Sequence, residues 1–211
     1  MLKRIPHSEE HVTTIQDPAE YYERHKATGV RRFKPFLKWL VKTNSSGEYL
    51  EVGAGPGILA ALLAKSISDV QITAVEPDPR MIQIGEKHIK DAGAGNKVRF
   101  VQGAGEDRDL ITSLGQFDLV YSTFSLHHWK EPVQVLRLIY QSIREDGAAV
   151  IFDFKRVWWM YYYPSKNGLF NPIRASYTKN DIKKMMNEAG ISEYQIITPF
   201  PYFWQLIVVK K

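Results

Sequence analysis

The chain has 211 residues, 44% of them hydrophobic and 24% charged, with a net charge of +5, which is enough for one domain with a sizeable core. The absence of cysteine excludes disulfides, zinc–thiolate sites and thiol nucleophiles. No run of about 18 apolar residues reads as a membrane span. Residues 1–18 lack the apolar stretch of a signal peptide, so a cytoplasmic location is expected. Lysines and arginines are scattered rather than in blocks; such charge permits an anionic partner without requiring one.

Residues 1–16 read as a loose arm. Asp17-Pro18-Ala19-Glu20 then marks a helix start, with Asp17 as N-cap, Pro18 at the first helical position and Glu20 completing a capping box. This helix, carrying Tyr21 and Tyr22, is expected to end near Thr28-Gly29. A second is expected to begin near Pro35, with Phe36, Leu37 and Leu40 at helical spacing. From Gly47 onward the pattern becomes strand, helix, strand. Strands are predicted at 48–52, 70–75, 98–102, 117–122 and 148–152. Helices are predicted at 58–65, after Asp78 with Met81, Ile82 and Ile89 on the apolar face, and at 132–144. That alternation implies a parallel sheet covered on both faces, with its sites beyond the strands' carboxyl ends. The tail differs. Thr178 caps a helix that stops at Gly190, and strands at 193–197 and 203–209 read as an antiparallel hairpin on the sheet edge.

The most informative turn follows the first strand. Glu51-Val52 runs into Gly53, Gly55 and Gly57 and then into a strong helix former. Glycines there allow positive φ and let a ligand touch the main chain. A carboxylate at Glu51 repels a phosphate and attracts a cationic ligand such as a sulfonium amino acid. The spacing is GxGxG; a dinucleotide fingerprint needs a small third residue where Ile58 stands. Glu76, ending the second strand, suits ribose hydroxyls in either case.

Four segments, LEVGAGPG (50–57), AVEPDPRM (74–81), VQGAGED (101–107) and FDLVYSTFSLHHW (117–129), together resemble the class I S-adenosylmethionine-dependent methyltransferases. The resemblance is closest to the small-molecule group that includes ubiquinone/menaquinone-type enzymes, and it spans roughly residues 36–209. It implies a Rossmann-like α/β fold, a seven-stranded sheet of order 3-2-1-4-5-7-6 with one antiparallel strand and helices on both faces. It also implies S-adenosylmethionine as cofactor, with S-adenosylhomocysteine as product. It assigns Glu51, Gly53, Ala54 and Gly55 to the methionine portion and Glu76 to the ribose. Pro77, Asp78 and Met81 flank the adenine, Gly105 and Glu106 read its edge, and Ser122 and Thr123 lie beneath the methionine. Ala104 departs from the Asp of many relatives, which moves a polar contact to Glu106 or Asp107. One domain over 1–211 is expected: a helical cap (1–45), a cofactor core (46–153), an aromatic substrate-covering insertion (154–177), and a terminal helix with hairpin (178–211).

The acceptor is expected to be small, apolar or aromatic, covered by Tyr21, Tyr22, Trp158 and Tyr162. The run 156–163 has no single phase, so a lid, core packing and interfacial membrane contact all fit it. His127 reads either as a general base or as packing that lines the pocket. His7 and His11 share the i,i+4 spacing of metal ligands but read as surface histidines, and no metal is expected. A non-catalytic cofactor-binding subunit is the alternative function. Nucleic-acid methylation is disfavoured: the fourth strand ends in Ser-Thr-Phe-Ser rather than the Asp/Asn-Pro-Pro-Tyr/Phe presented to a flipped base. The acceptor atom and the oligomeric state stay open.

Overall fold

The computed structural model describes residues 3–6, 17–43, 46–162, 170–200 and 202–211. Helix α1 (Pro18–Thr43) leads into β1 (Gly47–Val52), α2 (Ile58–Ser66), β2 (Val70–Glu76), α3 (Pro79–Asp91) and β3 (Val98–Gln102). The short α4 (Arg108–Ser113) precedes β4 (Phe117–Thr123), α5 (Pro132–Gln141) and β5 (Ile143–Phe154). The chain closes with α6 (Asn171–Ala175), α7 (Lys179–Ala189), β6 (Tyr194–Ile197) and β7 (Trp204–Lys210). The sheet order is β3-β2-β1-β4-β5-β7-β6, as the resemblance implies. β1 to β5 pair in parallel, and β7 runs antiparallel to β5 and β6.

Both sheet faces are buried, which explains the unbroken apolar run Ala148–Phe152 in β5, every residue of it buried. Tyr49, Ile72, Tyr121 and Phe152 pack under α1 and α2 with Phe36, Leu59 and Leu63. Leu50, Val52, Val120 and Ile151 pack on the other face with Leu136, Ile139, Ile182 and Met186. Thr178 and Asp181 form the expected reciprocal cap of α7, and Gly190 ends it at φ 78°.

Three boundaries differ from the sequence expectations. The two N-terminal helices are one, running unbroken through Gly29 and Pro35. Phe33, Phe36, Leu37 and Leu40 pack on the core, with Phe36 and Leu40 fully buried. Two such side chains contribute about 1.5–3 kcal/mol each, against local costs of about 1 for a glycine and about 3 for a proline. Ile143, read as helical, instead starts β5, and a register shift between Phe117 and Leu119 accommodates the earlier start. Finally, residues 3–6 are seated rather than loose: Arg4 donates to the carbonyls of Ala175 (2.6 Å) and His127 (3.1 Å) and lies over the Tyr177 ring. Among the described residues no helix is long and apolar enough to cross a membrane.

Candidate functional site

The parallel strands end on one rim, and four turns meet there. The glycine turn after β1 holds Gly53, Gly55 and Gly57 at φ 76°, 54° and 64°, a backbone region that side chains disfavour. A Cβ on Gly53 would lie 2.5 Å from the Ser125 hydroxyl, and one on Gly57 2.7 Å from the Phe100 ring. A Cβ on Gly55 would have nothing within 4 Å, so that side of the turn is open to an approaching ligand.

Two buried carboxyl groups, Glu51 and Glu76, stand at the ends of the paired strands β1 and β2 beside this turn. Glu76 accepts from the backbone N–H of Gly55 (2.7 Å) and of Asp78 (3.1 Å), tying β2 to the glycine turn. Burial raises its pKa, and these two bonds oppose the rise. Glu51 is 1% exposed and accepts from the Tyr121 hydroxyl at 3.1 Å. Burial pushes its carboxyl up to about 8; the Tyr121 bond opposes this and the nearby Glu76 charge adds to it. Tyr121 itself, buried beside Glu51, is raised well above the ordinary phenol value and so stays a donor. The register that sets Glu51 opposite Tyr121 makes the contact.

Asp78 caps α3 through the N–H of Arg80, and the Arg80 guanidinium holds its carboxyl below the usual range. Pro77 is exposed beside it, and Met81 is buried in the first turn of α3. In the third turn, Gly105 sits so close to Val52 that a Cβ would come within 2.7 Å of its methyl. Glu106 is bound to the following loop: its carboxylate accepts from Lys130 N at 2.9 Å and its carbonyl from the Gln134 amide at 2.7 Å. Asp107 caps α4 through Leu110 N, so one of its carboxylate oxygens is committed to structure.

After β4 the chain bends sharply. Ser122, fully buried, donates to Val52 O at 2.7 Å; it clamps β4 to β1, and Thr123 next to it is half-buried. Phe124 takes φ 55°, a conformation that persists in a bulky residue only when its surroundings over-determine it. The rings of Phe33, Phe152 and Phe154 lie 6.0, 5.2 and 4.8 Å from its own. Ser125 then donates to Gly53 O at 3.1 Å, laying the loop against the glycine turn and bringing in His127. His127 is 3% exposed, and Asp153, at the end of β5, is 1% exposed. Asp153 accepts from His127 N (2.9 Å), faces His127 Nδ1 (2.7 Å) and accepts from Phe154 N (2.6 Å). A carboxylate facing Nδ1 keeps the ring proton there and makes Nε2 the basic nitrogen.

The rim thus gathers Glu51, Gly53, Ala54, Gly55, Glu76, Pro77, Asp78, Met81, Gly105, Glu106, Ser122, Thr123 and His127. It does not gather the expected aromatic cap. Tyr22 donates to or accepts from His88 Nδ1 at 2.8 Å, in the last turn of α3, about 15 Å along the helix from Asp78. Tyr21 stacks on His25 of its own helix. Trp158 and Tyr162 are 68% and 75% exposed and meet edge to face, a surface pair rather than a lining. His7, His11, Tyr163 and Lys166 lie outside the described residues. The sequence reading missed Tyr121, Ser125, Asp153 and Arg4. The acid immediately after a predicted strand end was the available signal for Asp153; nothing local marked Arg4.

Residues 50–151 match the family described as "Methyltransferase domain". The chain is similar to a malonyl-[acyl-carrier protein] O-methyltransferase of Paenibacillus sp. (strain JDR-2), 30% identical over 122 residues, 56% of this chain and 44% of that protein. It is also similar to a demethylmenaquinone methyltransferase of Porphyromonas gingivalis, 28% identical over 134 residues, 63% and 50% respectively. The chain spans about half the length of these curated relatives. In fold it is like the crystal structure of a SAM-dependent methyltransferase from Aquifex aeolicus. That likeness has a TM-score of 0.71 at 17% identity and covers 92% of this chain and 97% of that one.

Proposed function

Because the chain belongs to the class I S-adenosylmethionine-dependent methyltransferases, we propose that it moves a methyl group from S-adenosylmethionine to a small apolar or aromatic acceptor. The observation that carries this reading is the pair of buried carboxyls at the ends of β1 and β2, Glu51 held by Tyr121 and Glu76 bonded to the glycine turn at Gly55 N. Such a site suits a ligand with cationic centres and vicinal hydroxyls, and its buried carboxyls offer a pyrophosphate no cationic partner. When bound, the cofactor supplies a methyl group already activated by the sulfonium charge.

The chain's own residues do the rest. Glu51 meets the cationic amino group, with Tyr121 holding its carboxyl in place. Glu76, oriented by Gly55 N and Asp78 N, accepts from the ribose hydroxyls. Pro77, Asp78 and Met81 border the adenine, and Gly105 lets its edge come close to the main chain beside Glu106. Ser122 fixes β4 against β1, and Ser122 and Thr123 would lie beneath the methionine portion. The half-buried rings of Phe33, Phe124 and Phe154 at the bend after β4 support an apolar or aromatic acceptor, held in line while water is excluded. Where the acceptor must lose a proton, His127 Nε2 takes it and Asp153 keeps the other ring nitrogen protonated.

The test is transfer of labelled methyl from S-adenosylmethionine across a panel of phenols, quinols, amines and fatty carboxylates. Label in an organic-extractable product supports the proposal. Tight cofactor binding without transfer to any acceptor would instead favour a non-catalytic, cofactor-binding subunit.

A further inference from the structure

Among the described residues, all seven exposed large hydrophobic side chains lie in three segments. They are Ile5, then Trp158, Trp159 and Tyr162 after β5, then Ile197, Phe200 and Tyr202 between β6 and β7. Hydrogen bonds join these segments into one surface. Tyr161 donates to Lys3 O, Ile5 N to Arg174 O, Arg174 to Met160 O and Lys155 N to Phe203 O. Because β5 and β7 are antiparallel and Phe154 pairs with Trp204, this surface lies at the carboxyl rim, next to His127 through Arg4.

Charge separates the candidate occupants. Lys3, Arg4, Lys155, Arg174 and Lys179 fall within or beside these segments, and the sequence has no Asp or Glu between Asp153 and Asp181 or after Glu193; Glu9 and Glu10, which follow the first segment, lie outside the described residues. Asp153 is buried against His127, and Asp181 is paired with Arg156 at 2.8 Å. A second copy would bring two cationic faces together. A patch of this kind marks an interaction site, and Trp and Tyr beside cations match the boundary of an anionic bilayer, where rings sit among the headgroups.

We propose that this rim docks on an anionic phospholipid surface, with the aromatic pairs Trp158/Tyr162 and Phe200/Tyr202 at the headgroup level. Delivery of a bilayer-dissolved acceptor to the site rests on the methyl-transfer reading; the docking does not.

The experiment is co-sedimentation of the full chain with vesicles of equimolar phosphatidylcholine and phosphatidylglycerol, against vesicles of phosphatidylcholine alone. Binding is expected to the anionic vesicles, to be at least about tenfold weaker to the neutral ones, and to fall as salt is raised. Each double variant, Trp158→Ser with Tyr162→Ser and Phe200→Ser with Tyr202→Ser, should lower partition about tenfold or more while leaving S-adenosylmethionine affinity unchanged. Equal partition to both vesicles, wild-type partition by both variants, or displacement by an RNA oligonucleotide would overturn the proposal. Intact vesicle binding in a chain that fails to bind S-adenosylmethionine would instead sink the methyl-transfer reading and leave the docking standing.

Discussion

The two halves of the rim are built by different means. Over β1, β2 and β3 the turns are fixed by main-chain bonds to acidic side chains: buried Glu76 holds the glycine turn, Asp78 starts α3 and Asp107 starts α4. Over β5, β7 and β6 the chain instead presents exposed rings and cations on short segments pinned by scattered bonds. The first half is arranged to bind one ligand shape; the second suits a surface. Between them stands the His127–Asp153 pair, joined to both through Ser125 and Arg4.

That contrast can be broken at several points. The largest effect is expected at Asp153, where three donors share one buried carboxylate. Asp153→Ala should lower stability by about 3–5 kcal/mol, read by urea titration. Asp153→Asn should spare more of the fold and shift the pH profile of turnover. An unchanged profile would remove His127 as a base.

Glu51 comes next. Its folded carboxyl titrates at about 8 against 4.5 for the ordinary value, so between these the folded chain holds a proton that the unfolded chain has lost. Stability contributed by this group is therefore full below pH 4.5 and declines as pH rises toward 8, by roughly 3 kcal/mol at pH 7. Glu51→Gln should flatten that slope in denaturant titrations; a slope identical to wild type would place Glu51 outside the low-dielectric site.

Glu76→Ala should weaken S-adenosylmethionine binding by about 1–3 kcal/mol, since Gly55 N and Asp78 N lose their acceptor. Unchanged affinity would take Glu76 out of the ribose site. The smallest effect belongs to the other half of the rim: Trp158→Ser and Tyr162→Ser should change stability by no more than about 0.5 kcal/mol. A larger loss would mean these rings pack as core after all.

Where the sequence was legible, one short segment carried both the element and its punctuation. Asp78-Pro79 starts α3 and Thr178 with Asp181 starts α7 because cap and helix are neighbours in the chain. The glycine turn was legible for the same reason. The pairs that make the site chemical were not, because they close over long separations: Glu51 with Tyr121 across 70 residues, and His127 with Asp153 across 26. Helix α1 misled because Gly29 and Pro35 are strong local stop signals, whereas the packing that overrides them comes from Phe124, Tyr121 and Phe152 far downstream. Tyr21 and Tyr22 were assigned to the cap from their place in an N-terminal helix, but Tyr22 engages His88 at the far end of α3. The aromatic run at 156–163 was visible in the sequence; that it shares one rim with Phe200 and Tyr202 depends on the antiparallel return of β7.

The most direct measurement is calorimetric titration of the chain with S-adenosylmethionine near neutral pH, repeated in buffers of different ionisation heats. Saturable binding is expected, with release of close to one proton as Glu51 gives up its hydrogen to face the ligand's cation, and affinity rising up to about tenfold per pH unit below 8. Absence of saturable binding would contradict the central claim that the glycine turn and its two buried carboxyls form an adenosyl-sulfonium site.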